Sequence, residues 1–235
     1  MTGQNVYDDE EFFAEYQAMR VAQGGINEAL EQPALRALLP KVAGTDVIDL
    51  GCGDGTLCRF VAEAGAGSVL GVDPSSRMLA LATARTSHPR VRYERSFAEE
   101  VRRPPACADL VTSSLAFHYV PDLATLFRHV ASWLRPGGVL VASMEHPAIT
   151  ATSGSDPHGE GYADEGLRRT HWYVDGVVKY HRRISTIVSD LLDAGLVLDA
   201  LVEPVPSFPL LERRPDLAVH RRRPPLLLLR GHRPE

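Results

Sequence analysis

The sequence predicts an α/β protein with a doubly wound, mostly parallel sheet, and three observations carry this prediction. Short apolar runs alternate with stretches of amphipathic helical pattern, which is typical of strands covered by helices on both faces. A glycine-rich turn follows the first of these runs directly. The chain has 235 residues, of which 44% are hydrophobic, which is enough for one large domain with a substantial core.

The elements follow from hydrophobic periodicity and from the breaker residues between them. Residues 9–40 favour helix with a break at Gly24-Gly25, and Asn27 is a candidate cap for the second helix. Beyond them, apolar runs predict strands near 47–50, 68–72, 91–93, 109–113, 139–143, 196–202 and 226–230. Amphipathic stretches predict helices near 57–64, 77–86, 123–134 and 184–194.

The alternation is interrupted after the strand at 139–143. Residues 147–170 are rich in Gly, Ser, Thr, Asp and Pro, and they predict a long loop. The next segment, 171–181, contains the run Val174-Asp175-Gly176-Val177. Its central Asp-Gly pair is typical of a tight turn, so we expect a hairpin with its turn at this pair.

Composition and charge exclude several function classes. The net charge of −5 does not favour binding to nucleic acid or to an anionic membrane. The N-terminus is acidic, unlike a secretory signal, and no apolar run approaches the roughly 20 residues of a membrane span. Cys52, Cys58 and Cys107 form no CxxC pair, and the nine histidines show no metal-binding spacing. We therefore expect a cytoplasmic protein with free thiols and no metal site.

The sharpest motif is the glycine turn Asp49-Leu-Gly51-Cys-Gly53-Asp-Gly55, between a predicted strand and a predicted helix. Glycines allow a tight turn and bring bare backbone against a ligand. A dinucleotide fingerprint would be G-x-G-x-x-G, but here Thr56 stands where its third glycine would lie. The spacing therefore argues against an NAD-dependent oxidoreductase, which stays the alternative enzyme, and for a ligand without a pyrophosphate at this turn.

Asp73 ends the second predicted strand, about 20 residues after the glycine turn. A carboxylate there can accept hydrogen bonds from both hydroxyls of a ribose, and Ser75 is a natural helix cap just beyond it. Both motifs lie at the carboxyl ends of adjacent strands, where open α/β sheets bind ligands. Each also has a plain structural reading, as a tight turn and as a helix-start residue.

Four motifs in register, at 49–55, 73–79, 109–113 and 134–138, resemble those of class I S-adenosylmethionine-dependent methyltransferases, bacterial small-molecule type. The resemblance covers roughly residues 45–145. It implies a seven-stranded sheet whose last strand is antiparallel, and S-adenosylmethionine as the cofactor. The cofactor-binding residues it implies are Tyr16, Arg20, Asp49, Gly51, Cys52, Gly53, Asp73, Pro74, Met78, Ser96, Phe97, Ala98, Ser114 and Leu115.

Within that set the resemblance implies distinct roles. Gly51, Cys52 and Gly53 would line the methionine part of the cofactor, with Ser114 and Leu115 beside its tail. Asp73 would hold the ribose, residues 96–98 would flank the adenine, and Met78 would pack on that ring. Core packing is an equal reading for Met78 and Phe97. Surface packing is an equal reading for Tyr16, which shares a helix face with Arg20.

We accordingly expect a single domain over 1–235. Its parts are an N-terminal helical cap at 1–44, a cofactor-binding core at 45–145, an acceptor-side loop and hairpin at 146–183, and a final helix and strands at 184–235. The chain lacks the motifs of DNA-amine and cytosine C5 methylases, which indicates a small-molecule methyl acceptor. The basic runs at 213–214 and 221–223 are interpreted as a solvated loop.

Transfer to a hydroxyl group calls for a base, and the candidates are the histidines near the ends of the fourth and fifth strands. His146, with its neighbour Glu145, is the first choice and His118 is the other histidine there, while His181, after the predicted hairpin, is a third candidate. Each could instead serve structure alone. The expected reaction is O-methylation first and N-methylation second. A non-catalytic module that keeps the fold for cofactor or partner binding is the alternative from another class.

Overall fold

The computed structural model describes residues 4–23, 25–152 and 161–235, with the backbone alone at 19–23. Its strands are β1 (Asp46–Leu50), β2 (Ser68–Asp73), β3 (Val91–Arg95), β4 (Ala108–Ser113), β5 (Leu134–Glu145), β6 (Gly166–Trp172), β7 (Val174–His181), β8 (Val197–Val202) and β9 (Leu226–His232). Its α-helices are α1 (Glu10–Gln23), α2 (Gln32–Leu38), α3 (Thr56–Glu63), α4 (Ser76–Arg85), α5 (Leu123–Trp133), α6 (Pro147–Thr150), α7 (Ile184–Asp193) and α8 (Phe208–Arg213).

The main sheet confirms the predicted fold class. It has seven strands in the order β3-β2-β1-β4-β5-β9-β8. Strands β1 to β5 pair in parallel, whereas β9 is antiparallel to both of its neighbours. The order reverses at β1, which lies between β2 and β4, so a crevice forms at the carboxyl ends of these strands.

The sheet is covered on both faces because its strands are apolar on both faces. In β1, Ile48 and Leu50 belong to one buried cluster and Val47 to the other. Helices α5 and α7 complete the first cluster, and α2 and α3 complete the second. The buried residues of α5 show the helical spacing that produces such a face: Leu123, Leu126, Phe127 and Val130.

A third cluster lies outside the sheet. The N-terminal segment, with a 3₁₀ turn at Val6–Asp8, packs with α1 against the hairpin of β6 and β7. Phe12 is fully buried there, with its ring 5.2 Å from that of Trp172. The cluster brings the segment around Val6–Asp8 to the carboxyl edge of the sheet.

The hairpin is present, but the predicted position of its turn was wrong. The chain reverses at Tyr173, which has a φ of +62°, and Trp172 pairs with Val174. Asp175 and Gly176 instead lie within β7, beside a register shift opposite Thr170 and Trp172. The rings of Trp172 and Tyr173 pack on Phe12, and this tertiary packing overrides the local Asp-Gly preference.

Two other expectations need correction. The segment 147–170 is only partly loop, since α6 occupies its start and β6 begins at Gly166; its residues 153–160 lie outside the described part of the chain. Asn27 caps no helix, because it lies inside a π-type turn, Asn27–Glu31, that leads into α2. Ser75 does cap α4, accepting a hydrogen bond from the Met78 amide. Among the helices of the described ranges, none is long and apolar enough to cross a membrane.

Candidate functional site

A cavity of about 1040 Å³ lies at the carboxyl ends of β1, β2, β4 and β5. Gly51 follows β1, Asp73 ends β2, Ser114 follows β4 and Glu145 ends β5, and all four residues line it. The N-terminal segment, the region around α2, the hairpin and the segment that precedes β9 contribute to the rest of the lining. The volume is at the upper end of the range of small-molecule sites, so a ligand the size of a nucleoside leaves room for a second molecule.

The glycine turn and Asp73 form one unit. The amides of Gly53 and Ser75 each donate to a different oxygen of the Asp73 carboxylate, both at 2.9 Å. Gly51 has a φ of +71°, and a Cβ there would lie 2.3 Å from the Cβ of Ala116 in the segment after β4. Gly53 has a φ of +52°, and a Cβ there would meet nothing within 4 Å. We call the glycine turn together with Asp73 the cradle. Its backbone is tightly packed at Gly51 and open to the cavity at Gly53.

The cradle contains two buried acids, Asp73 and Asp49. Burial raises the pKa of Asp73 to about 6, although the hydrogen bonds from Ser75 and Gly53 act in the other direction. Burial likewise raises the pKa of Asp49 to about 6. The Asp49 carboxylate accepts from the Thr112 hydroxyl at 2.8 Å and from the Cys58 thiol at 3.2 Å. Asp49 therefore ties β1, β4 and α3 together, whereas Asp73 turns toward the backbone that faces the cavity.

The N-terminal segment is fastened at two points and crosses the lining between them. The carboxylate of Asp8 accepts from the Ser75 hydroxyl at 2.7 Å and from the Arg77 amide at 3.1 Å, at the start of α4. The side chain of Gln4 donates to the Gly176 carbonyl at 3.0 Å and accepts from the Val178 amide at 2.7 Å, on β7. We call residues 4–8 the strap. Its residues Gln4 to Tyr7 all line the cavity.

A buried polar network lies at the start of α2, where sequence reasoning predicted no site. Glu31 is fully buried, and its carboxylate accepts from the hydroxyls of Ser114 at 2.9 Å and Ser143 at 2.6 Å. The Gln32 amide nitrogen donates to the other oxygen of Glu31 at 2.7 Å. Gln32 and Ser114 both line the cavity. A charged residue among apolar ones at the start of a helix was the only sequence signal for this network.

One side of the cavity lining is aromatic. We call its lining rings the aromatic wall: Tyr7, Tyr16, Tyr119, Trp172 and Tyr173. Tyr7 is central, with its ring edge-on to those of Tyr16 at 5.2 Å and Tyr119 at 6.4 Å. Beside the wall, the Lys179 ammonium lies 5.1 Å from the ring of Trp172 and donates to Glu145 at 2.5 Å.

His118 lies between this ion pair and the aromatic wall. Its ring is 4.2 Å from that of Tyr119, and its Nδ1 accepts from the Glu145 amide at 3.3 Å. Burial lowers the pKa of His118 to about 4, so its imidazole is neutral near pH 7. Burial raises the pKa of Glu145, but the charge of Lys179 and its hydrogen bond outweigh burial and hold that pKa below the ordinary value. Glu145 is therefore an ionised carboxylate.

Buried side-chain oxygens that lack a hydrogen-bond partner mark three places around the cavity. Within the described ranges they are Asn5 Oδ1, Gln32 Oε1 and Glu145 Oε2, and all three residues line the cavity. The amide orientations are fixed, because the Asn5 nitrogen donates to Asp8 and the Pro74 carbonyl, and the Gln32 nitrogen to Glu31. Leaving a buried acceptor unsatisfied costs about 1–3 kcal/mol, so a donor that reaches one of these oxygens would stabilise the site.

The fold is shared with known methyltransferases. A family model described as a methyltransferase domain matches residues 47–138. A crystal structure of an S-adenosylmethionine-dependent methyltransferase from Mesorhizobium loti is similar with a TM-score of 0.82, at 40% identity, covering 89% of this chain and 99% of that one. The chain belongs to the S-adenosylmethionine-dependent methyltransferases. Its cofactor is S-adenosylmethionine.

Curated relatives agree with this family. A trans-aconitate 2-methyltransferase of Azoarcus is 30% identical over 71% of each chain. An uncharacterised protein of Haemophilus influenzae is 30% identical over 98% of each chain. Most of the other curated relatives, among them ubiquinone biosynthesis O-methyltransferases, are matched over about half of their own length or less. The methyl acceptor of this methyltransferase therefore has to be argued from its own residues.

The structure brings most of the predicted cofactor residues to the cavity of the methyltransferase. Those that line it are Tyr16, Asp49, Gly51, Cys52, Gly53, Asp73, Pro74, Met78, Phe97, Ala98, Ser114 and Leu115. Ser96 does not line it; its amide donates to the Asp73 carbonyl at 3.2 Å and its hydroxyl to the Phe97 carbonyl at 3.0 Å. The side chain of Arg20 lies outside the described part of the molecule.

The structure separates the predicted catalytic residues of the methyltransferase into two groups. His118 and Glu145 line the cavity, whereas His146 and His181 do not. The Nδ1 of His146 accepts from the Ala148 amide at 3.0 Å and so caps α6, and its Nε2 lies 2.6 Å from a Glu203 oxygen. The ring nitrogens of His181 bond to the Thr150 hydroxyl and the Tyr162 carbonyl. Glu145 is the last residue of β5, whereas His146 lies beyond the strand as the N-cap of α6, so the two side chains face different surroundings.

Proposed function

We propose that this methyltransferase transfers its methyl group to a hydroxyl oxygen of a small molecule bound between the cradle and the aromatic wall. The carrying observation is Glu145 Oε2, a buried carboxylate oxygen without a partner in the described structure, on a residue that lines the cavity. A hydroxyl group of the methyl acceptor would donate to it. The ubiquinone biosynthesis O-methyltransferases among the relatives support oxygen as the methylated atom.

The residues of the cavity fit the cofactor. Each Asp73 oxygen accepts one backbone hydrogen and can accept another, which suits the two hydroxyls of a ribose. The open space at Gly53 admits the ligand against bare backbone. Met78 and Phe97, with Ala98, would flank the adenine. S-adenosylmethionine supplies, when bound, a methyl carbon on a positively charged sulfur.

The methionine end would lie by Ser114, Leu115 and Gln32. The unpartnered Oε1 of Gln32 is an acceptor, which suits the amino group of the methionine part. Glu31 would act as a positioning residue, since it holds both the Ser114 hydroxyl and the Gln32 amide. At the other end, Asn5 Oδ1 would accept from the nucleoside, because Asn5 is bonded to the Pro74 carbonyl next to Asp73.

The remaining task of the protein is to position the methyl acceptor and to take its proton. Correct placement of two reactants contributes roughly 7–11 kcal/mol, so the enclosed cavity supplies much of the rate. His118 Nδ1 accepts from an amide, which leaves the ring proton on Nε2 and makes neutral His118 a donor. Glu145 is therefore the proposed proton acceptor, in place of His146, which is engaged outside the cavity.

Mass spectrometry of extract metabolites incubated with the protein and methyl-labelled S-adenosylmethionine tests the reaction. We expect the label in methoxy groups, and Glu145→Gln should slow their formation about 100-fold, the typical contribution of a proton acceptor. Titration calorimetry should give an unchanged Kd for the cofactor. Label on nitrogen or carbon, or unchanged turnover in the variant, would contradict the proposal.

The placement of Gln32 has a separate test. Gln32→Leu removes the amide oxygen and keeps the bulk, so its Kd for S-adenosylmethionine should rise about tenfold, the loss of one hydrogen bond to a charged group. Its Kd for 5′-methylthioadenosine, which lacks the amino group, should stay as in the wild type. An equal loss for both ligands would show a general disturbance of the site and refute the specific contact.

A further inference from the structure

The methyl-acceptor end of the cavity combines flat apolar surface with a single compensated charge pair. The aromatic wall supplies the surface, and its rings already pack edge-on, with Tyr7 against Tyr16, Tyr119 and Trp172. Edge-on and offset packing between rings contributes about 0.5–1.5 kcal/mol per pair beyond the burial of area. A further planar ring inserted beside the wall would gain contacts of the same kind.

The charges at this end cancel. Glu145 is ionised, and the Lys179 ammonium lies 2.5 Å from one of its oxygens. Their side chains are only 24% and 7% exposed, so water screens the pair little. Burial raises the pKa of Tyr7 and of Tyr119, which keeps both hydroxyls protonated. With His118 neutral, the charges of Glu145 and Lys179 compensate each other, and the Arg182 guanidinium near His118 donates to the carbonyls of Val120 and Pro121.

We propose that the methyl acceptor is an uncharged planar hydroxyl compound of the phenol class, whose ring lies against the aromatic wall and whose O–H donates to Glu145 Oε2. This inference rests on the proposed O-methylation and narrows it to one chemical class. The phenol O–H would donate to the unpartnered Glu145 Oε2, and the phenol ring would pack against the aromatic wall. An uncharged compound would leave the compensated Glu145–Lys179 pair undisturbed.

Charged alternatives fit less well. A carboxylate in the same place would put an anionic oxygen against Glu145 Oε2 with no proton between them. An ammonium group would add a second cation beside Lys179, and burying an uncompensated charge is costly. The arginines that line the cavity are already engaged, because Arg214 pairs with Asp216 at 2.7 Å and the Arg36 guanidinium lies 4.2 Å from the ring centre of Phe60.

The reaction balances with the groups present. The phenol oxygen forms the new oxygen–carbon bond with a lone pair. The carbon–sulfur bond breaks and leaves its electron pair on sulfur, which becomes a neutral thioether. The hydroxyl proton passes to Glu145 Oε2. The oxygen becomes strongly acidic as the methyl group bonds, so a carboxylate with a low pKa is a sufficient proton acceptor.

Four probes with one ring and different head groups test the class: p-cresol, p-toluidine, p-toluate and 4-methylbenzylamine. Each is titrated into the full-length protein saturated with S-adenosylhomocysteine, and each is offered as methyl acceptor with labelled S-adenosylmethionine. We expect p-cresol to bind at least tenfold more tightly than the two charged probes and to be the one that is O-methylated. Trans-aconitate, for which the Azoarcus relative is named, should be neither bound nor methylated.

Glu145→Gln should lower the turnover of p-cresol about 100-fold and leave the Kd of S-adenosylhomocysteine unchanged. Glu63→Gln makes the same change on an exposed side chain of α3 outside the cavity and should leave turnover as in the wild type. If the Glu145 variant fails to fold, the wild-type probe series still tests the phenol class. Equal or tighter binding of p-toluate or 4-methylbenzylamine, or no binding of p-cresol, would overturn the phenol class.

The outcomes also separate this inference from the proposed function. If extract metabolites gain methoxy groups while p-cresol is neither bound nor methylated, O-methylation stands and the phenol class fails. If p-toluidine is methylated on nitrogen and p-cresol is not, both fail. If p-cresol is methylated at an equal rate by Glu145→Gln, the class stands and the role of Glu145 fails.

Discussion

The cradle and the aromatic wall, the proposed sites of the cofactor and of the methyl acceptor, are built in different ways. The cradle comes from a short stretch of chain, residues 49–79, and most of its contacts are made by backbone. The aromatic wall and its ion pair come from the N-terminus, the segment after β4, the end of β5 and the hairpin. A local motif can thus bind the cofactor, whereas the methyl acceptor would contact side chains that only the fold brings together.

Their electrostatics differ as well. The cradle contains two buried acids whose pKa values burial raises to about 6, and no described cation pairs with either of them. The acid beside the aromatic wall is paired with Lys179, and its pKa is lowered. The ionised carboxylates of the cradle are therefore unfavourable until hydroxyl groups of a ligand stabilise them. The charge of Glu145, beside the aromatic wall, is already compensated by Lys179.

The largest effect is expected from glycines of the cradle. Gly51→Ala combines a left-handed φ with a Cβ 2.3 Å from Ala116. It should cost about 2–5 kcal/mol of unfolding free energy and remove measurable cofactor binding. Gly53→Ala has the left-handed φ but open space, so it should lose about 1–2 kcal/mol of stability and at least about tenfold in cofactor affinity.

Gly195→Ala is the matched control, since Gly195 has a φ of +85° with nothing within 4 Å and follows α7 away from the cavity. It should lose the same stability as Gly53→Ala and none of the cofactor affinity. Urea unfolding and titration calorimetry measure the two quantities. If Gly53→Ala and Gly195→Ala bound the cofactor equally well, the bare backbone at Gly53 would not face the ligand.

The next effect is a pH dependence with opposite signs for stability and binding. Because the pKa of folded Asp73 is raised to about 6, its ionised form destabilises the fold above that pH, by about 3 kcal/mol at most. That penalty disappears as the pH falls through 6 toward 3.8, so the thermal midpoint of the ligand-free protein should rise between pH 7 and pH 5. Asp49 shifts stability in the same direction.

Cofactor affinity should move the other way, because only the ionised Asp73 can accept both ribose hydroxyls fully. We expect the affinity to fall by up to about tenfold per pH unit below 6. Asp73→Asn should bind weakly and without this slope. A wild-type affinity that stays constant from pH 7 to pH 5 would contradict the ribose assignment, and calorimetry at each pH decides it.

The smallest effect tests whether His146 takes part in methyl transfer or only stabilises the fold. His146→Ala removes the cap of α6 and should cost about 1 kcal/mol of unfolding free energy, the usual cost of losing an N-cap. Turnover of the saturated enzyme should change less than twofold. A variant that keeps its stability and loses turnover would restore His146 as the base and would move the reaction away from Glu145.

The sequence predicted the cradle well because its motif is local. Strand β1, its glycine turn and Asp73 are set by apolar runs and by glycines whose φ values other residues rarely adopt. The hairpin turn at Asp175-Gly176 was wrong, because the distant ring of Phe12 fixes Trp172 and Tyr173 in place. A local turn preference is worth less than the burial of two large rings.

The methyl-acceptor end could not be assembled from the sequence for the same reason. His146 and Glu145 are neighbours in the chain, and only the end of β5 and the start of α6 decide which of them reaches the cavity. Lys179, on the hairpin, is 34 residues from its partner Glu145. Glu31 and Gln32 carry no recognisable spacing, since their role depends on hydroxyls of two strands that come more than 80 residues later.

The strap has a consequence for the pace of the catalytic cycle. It is held at Asp8 on the nucleoside side and at Gln4 on the hairpin side, so a molecule passing beneath it must unfasten one end. Burial raises the pKa of Asp8, but hydrogen bonds from Ser75, Arg77 and Ser76 outweigh burial and lower it to about 2. The contacts of Asp8 are therefore insensitive to physiological changes of pH. We therefore expect the spent cofactor to leave at a rate set by thermal opening of the contacts of Asp8, even at a pH that already weakens its binding to Asp73.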